Sequence, residues 1–134
     1  MKIKWSPEFS VNVTEMDEQH KKLFNMINQY FQTVESGESK TARIKLLEEL
    51  KDYTHYHFQE EEKYFVMYNY EDKEFHISAH AKLISRVLEY INKVKQGREI
   101  PDTEIAEFLK DWLIKHIKGT DKKYSDHYNR HGFV

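Results

Sequence analysis

Five of the eight histidines, His20, His57, His76, His80 and His116, fall at positions that helical periodicity reserves for a core, and Glu61 joins them. A buried carboxylate without a partner is costly enough that it either stays protonated or binds a cation. His57 and Glu61 are four residues apart, as are His76 and His80, so each pair shares one helix face. Five neutral imidazoles are an expensive way to fill a core, whereas imidazoles and a carboxylate converging from several helices suit a borderline transition metal. The chemistry indicated is metal binding.

The remaining histidines fit this pattern poorly. His127 and His131 repeat the four-residue spacing, but in a polar tail beside Gly132 with no apolar stripe, so no metal is expected there. His55 lies about 200° round the helix from His57, and the residue four further on is the neutral Gln59, which makes it solvent-facing. Glu60 and Glu62 flank Glu61 and read as a solvated face.

Composition bounds the rest. The 134 residues fit one domain, 1–134, and contain no cysteine, which excludes disulfide frameworks, thiolate zinc sites, iron–sulfur clusters and cysteine nucleophiles. A net charge of -2 argues against nucleic acid as a partner. A mean hydropathy of -0.86 resembles that of a disordered chain, but the 14% aromatic content does not. The start of the chain lacks the apolar core of a secretory signal, and no apolar run approaches the roughly 18 residues that span a bilayer. The expectation is a cytoplasmic monomer with no membrane insertion.

Only 4 Gly and 2 Pro are available for turns, so most of the chain should be helix. After an irregular arm over residues 1–14, with Thr14 as a cap, helices are expected at about 15–36, 40–68, 72–96 and 101–118, and a short one at 121–128. Gly37 and Gly97 stop the first and third. The inward stripes include Met16, His20, Leu23, Phe24, Ile27 and Phe31; Leu47, Leu50, Thr54, His57, Glu61 and Phe65; His76, His80, Leu83 and Val87; and Ile105, Leu109, Trp112, Leu113 and His116. Short loops make successive helices antiparallel. The fold class is therefore all-α, an up-down-up-down four-helix bundle with an N-terminal arm and a short C-terminal helix.

The run His20, then His57-Phe58-Gln59-Glu60-Glu61, then His76 and His80, then Trp112-Leu113, His116 and Asp121 resembles the hemerythrin family in its bacterial single-domain form. Phe9-Ser10-Val11-Asn12-Val13 and Met16-Asp17-Glu18-Gln19-His20 resemble it too, and the likeness covers essentially the whole chain. The resemblance implies two iron ions, one held by His76, His80 and His116 and the other by His20 and His57. Glu61 and Asp121 would bridge both, together with an oxo or hydroxo group, and dioxygen would bind at the second iron. Asp121, five residues after His116, is about 140° away on an ideal helix, so Gly119 is expected to let the backbone turn it inward. Two positions depart from the family pattern. Phe65 stands where Met is common, and Asn69-Tyr70-Glu71 replaces a frequent Gly-Tyr-Pro, although Asn tolerates the left-handed turn.

The expected function is reversible dioxygen binding for transport, storage or delivery to a recipient protein, not enzymatic turnover. With five imidazoles and two carboxylates, oxygenation moves electrons and a proton within the site without changing its total charge, which an apolar pocket tolerates. Leu23, Phe24, Trp112 and Leu113 are the candidate walls of that pocket. The alternatives are an oxygen- or iron-sensing module using the same site and a diiron oxidase, the latter disfavoured because paired E-x-x-H motifs are lacking.

Overall fold

The computed structural model describes residues 2–98 and 100–134. Among the described residues five α-helices follow in order: α1 (Thr14–Glu35), α2 (Lys40–Met67), α3 (Lys73–Lys95), α4 (Asp102–Gly119) and α5 (Ser125–Arg130). Short 3-10 turns lie at Pro7–Phe9 and Asp121–Tyr124, and no strand occurs among the described residues. The first four helices are roughly 27–42 Å long at 1.5 Å per residue. α1 packs on α2 and α4, and α2 packs on α3, which gives the expected antiparallel four-helix bundle.

The helix ends explain the tight turns. Gly37 has φ 66°, with Glu38 N–H donating to the Thr33 carbonyl and Gly37 N–H to that of Val34. This satisfies carbonyls that α1 would otherwise leave without partners. Asn69, at φ 49°, closes α2 in the same way, with Tyr70 N–H donating to the Phe65 carbonyl at 2.8 Å. Ser39 caps the start of α2, its hydroxyl accepting from Ala42 N–H.

Two boundary expectations are corrected. Thr14 is the first residue of α1 and not its cap; the preceding position is Val13, which is buried and can offer no side-chain oxygen. Asp17 instead ties the arm to the first turn, its carboxylate accepting from Ser10 Oγ (2.6 Å) and Val11 N–H (2.8 Å). Pro101 sits just before α4, outside its first turn. The arm is packed, with Ile3, Phe9, Val11 and Val13 buried and both backbone groups of Ile3 bonded to the Asn28 side chain.

Candidate metal centre

Each helix of the bundle delivers part of one buried cluster. α1 carries His20, α2 carries His57 and Glu61, α3 carries His76 and His80, and α4 carries His116 near its end. Asp121 follows from the 3-10 turn, and all seven side chains are buried. Among the described residues their potential ligand atoms form two groups, each within 4.8 Å. One is Glu61, His76, His80, His116 and Asp121; the other is His20, His57, Glu61 and Asp121.

The two carboxylates belong to both groups because each divides its oxygens. Asp121 Oδ1 lies 2.8 Å from His76 Nε2 and 3.0 Å from His116 Nε2, while Oδ2 lies 3.1 Å from His20 Nε2. Glu61 Oε1 lies 3.2 Å from His80 Nε2, and Oε2 lies 3.5 Å from both His20 and His57 Nε2. The result is a three-imidazole half and a two-imidazole half joined by shared carboxylates.

These donors fit a metal pair. His20 Nε2, His80 Nε2, Glu61 Oε1 and both Asp121 carboxylate oxygens are buried and make no directed hydrogen bond among the described residues, despite their close approach. Polar atoms left this way are expensive unless a cation satisfies them. The electrostatics agree. Burial alone would lower His20, but Asp121 and Glu61 outweigh it and hold the imidazole up to about 10. His80 is raised to about 9, its burial outweighed by Glu61 and Glu62, while burial lowers His57 to about 4. Burial pushes the Glu61 and Asp121 carboxyls upward, yet the surrounding histidines hold both well below the usual carboxylate range. Two anionic carboxylates and five nitrogen donors make a set for borderline divalent ions.

The family model for the hemerythrin HHE cation-binding domain matches residues 11–128. The chain belongs to the hemerythrin family. A hemerythrin-like protein of Naegleria gruberi is 36% identical over 120 residues, covering 90% of this chain and 88% of that protein. The bacteriohemerythrin of Methylococcus capsulatus is 33% identical, covering 87% and 88% respectively. A crystal structure of wild-type hemerythrin superposes with a TM-score of 0.88 at 31% identity, covering 94% of this chain and 97% of that one. The buried His/Glu/Asp cluster is compatible with the diiron site of a hemerythrin-type protein.

A second layer of this hemerythrin-family site escapes sequence reasoning. Glu62, expected on a solvated face, is half-buried and accepts a 2.9 Å hydrogen bond from His80 Nδ1; Glu60 is half-buried too, its carboxylate paired with the Lys63 ammonium at 3.4 Å. Gln19 Oε1 accepts from His57 Nδ1 at 2.6 Å. Tyr124 donates its hydroxyl to Glu61 Oε2 at 2.6 Å, and Tyr128 donates to the Glu61 backbone carbonyl at 2.9 Å. Such partners fix ring tautomer and orientation. Phe58 stacks on His80 with centroids 3.6 Å apart, and Trp112 stacks on His116 at 4.2 Å.

The structure also relocates the turn that aims Asp121. Gly119 is the last residue of α4 and has no positive φ; the backbone changes course at Thr120 (φ -108°, ψ -54°) into the 3-10 turn. His55 is exposed. His127 and His131 bond backbone carbonyls, of Tyr68 and His127 respectively, and lie outside both ligand groups. Phe65 is buried with its ring 4.7 Å from that of His76, packed among Tyr70, Tyr124 and Tyr128.

Leu23, Trp112 and Leu113 line an apolar cavity of about 20 Å³ with Ile27, Leu50, Thr54, Leu83, Val87 and Leu109. Thr54 spends its hydroxyl on the Leu50 carbonyl, leaving little to hold water. The cavity lies one turn from the ligand layer on every helix, since Leu23, Thr54, Leu83 and Leu113 are each three residues from a histidine. Phe24 is not part of this wall; its ring meets Phe9 edge-on at 5.1 Å. No described helix is long and apolar enough to cross a membrane.

Proposed function

We propose that this chain binds dioxygen reversibly at a pair of iron ions in the buried cluster, as an oxygen carrier, store or delivery protein. The observation that carries this reading is the unequal division of imidazoles around two shared carboxylates. His76, His80 and His116 would hold one ion and His20 and His57 the other, with Glu61, Asp121 and a solvent-derived group as bridges. Seven side chains cannot saturate two octahedral ions even with both carboxylates shared, and the shortfall is greater on the His20–His57 side. When bound, the iron pair supplies two electrons and an exchangeable position for dioxygen.

The chain's own residues make binding reversible. Leu23, Leu50 and Leu113 shut water out of the layer beside the cluster, and Trp112 covers the His116 ring. A dry wall withholds the outside protons that would carry reduced oxygen away. Phe58, Gln19 and Glu62 lock the His80 and His57 rings, so the donors need no rearrangement as charge moves. The same reading places the chain in the cytoplasm as a monomer, with an oxygen-consuming protein as recipient.

Metal analysis with optical spectra tests it. Iron-loaded, anaerobically reduced protein is expected to hold about two irons per chain, take up one dioxygen per pair and release it intact under vacuum. One metal per chain in a well-loaded sample would overturn the diiron assignment. Rapid hydrogen peroxide release with no recoverable reduced form would make the protein an oxidase.

A further inference from the structure

The two halves of the cluster differ in their outer partners as well as in histidine count. In the three-imidazole half, His80 Nδ1 donates to a carboxylate, that of Glu62, at 2.9 Å. In the two-imidazole half, His57 Nδ1 donates to a neutral amide, that of Gln19, at 2.6 Å. His20 Nδ1, in the same half, is buried with no hydrogen-bond partner among the described residues. Tyr124 adds to the contrast by donating to Glu61 Oε2, the oxygen that faces His20 and His57.

Each difference acts in the same direction. A carboxylate accepting from a ligand imidazole pushes electron density onto the ring and makes it a stronger donor to a metal, which favours the higher oxidation state. An amide does this weakly, and an unpartnered N–H does not do it at all. A phenol donating to a bridging oxygen withdraws density from that oxygen. Through His80, the three-imidazole half is therefore the electron-rich side, and the His20–His57 half is the electron-poor side.

We propose that Glu62 and Gln19 are a matched pair of positioning residues that set the redox balance of the centre, Glu62 favouring oxidation on its side and Gln19 withholding that help on the other. The inference rests on the diiron reading and extends it. A centre with a carboxylate behind both rings would give up electrons too readily and drift to the oxidised form. A centre with amides behind both would bind oxygen weakly. One of each would make the three-imidazole side the readier of the two one-electron donors, while the exchangeable position stays on the two-imidazole side of the shared carboxylates.

The test is anaerobic redox titration of the iron-loaded protein, followed optically with mediators, for wild type, Glu62→Gln, Glu62→Asp and Gln19→Glu. Metal content is measured on each sample. Glu62→Gln is expected to shift the midpoint to more positive potential and to slow oxidation of the reduced form in air by about tenfold. Gln19→Glu is expected to shift both the opposite way, and Glu62→Asp, which keeps the charge, to lie nearer wild type. Glu62 is half-buried at the edge of the site, so its variants keep the core intact even if Gln19→Glu folds poorly. Unchanged midpoints in Glu62→Gln at full iron content would overturn the proposal while leaving the diiron reading in place. A wild type that fails to load two irons would instead remove the reading on which it rests.

Discussion

Tyr124 donates its hydroxyl proton to Glu61 Oε2 at 2.6 Å, with both side chains fully buried and 63 positions apart in sequence. Burial and the neighbouring Glu61 and Asp121 carboxylates push the Tyr124 phenol well above its ordinary value, so it remains a donor at any physiological pH. Hydrogen bonds to charged acceptors contribute about 1.5–3 kcal/mol. Tyr124→Phe is expected to destabilise the protein by about 2 kcal/mol in denaturant unfolding, with the fold retained and iron held more loosely. An unfolding midpoint equal to wild type would show that Glu61 does not depend on this hydroxyl.

Histidines inside the buried cluster and histidines outside it separate cleanly in their expected behaviour. His57→Ala or Glu61→Ala is expected to lower iron occupancy and thermal stability together, because the first strips a buried partner from Gln19 and Glu61 and the second strips one from the imidazoles of His20, His57 and His80. His55→Ala and His131→Ala are expected to keep iron at wild-type levels, since one side chain is exposed and the other bonds only a carbonyl in the C-terminal tail. Metal analysis after matched loading decides the matter. Iron loss in His55→Ala with retention in His57→Ala would reverse the assigned face of α2.

The parts of the site that were legible in the sequence are those obeying helical spacing. His57 with Glu61 and His76 with His80 sit four apart on single faces, and His20 and His116 continue apolar stripes, so periodicity alone gathers six of the seven buried groups. Asp121 breaks the period because a 3-10 turn intervenes, and only the family resemblance places it. Gln19 and Glu62 are each one residue from a cluster member, about 100° round the helix, and therefore read as flanking positions. Their partners are on other helices, 38 and 18 residues away, a relation no local pattern encodes. The first three helices had legible stops for a simpler reason: Gly37, Asn69 and Gly97 all adopt the positive φ that their residue types tolerate, whereas the fourth ends at Thr120 without one.

Leu113 offers a way to wet the site without touching a ligand. It is buried, lines the apolar cavity of about 20 Å³ and precedes His116 by three positions. Leu113→Ala enlarges that cavity and is expected to cost about 2–4 kcal/mol in stability. Its more informative effect is kinetic: water entering beside the cluster supplies protons, and the reduced protein is expected to oxidise faster at unchanged iron content. Repeated oxygen and vacuum cycles on wild type and variant, followed optically, measure the fraction recovered each time. Equal recovery would show that the wall does not govern reversibility.

Removing the metal exposes a pH dependence whose sign follows from His20 and His80. In the folded metal-free chain burial opposes protonation of both, yet the carboxylates around them hold His20 up to about 10 and His80 up to about 9, against 6.5 when unfolded. The folded chain therefore keeps protons that the unfolded chain has lost above pH 6.5. Their stabilising contribution is full below that pH and disappears as pH rises through 9 and 10. His57 runs the other way. Burial lowers it to about 4, so its contribution is full above pH 6.5 and is lost as pH falls through 4. Chelator-treated protein is thus expected to lose stability between about pH 7 and pH 10, whereas iron-loaded protein does not, because the metal stands where those protons were. Loading at pH 7–8 is expected to release up to about two protons per chain, from His20 and His80. Denaturant midpoints across pH, with and without chelator, and proton release in weakly buffered solution check both statements. A metal-free chain more stable at about pH 10 than at about pH 7 would mean that Glu61 and Asp121 do not hold protons on these two rings.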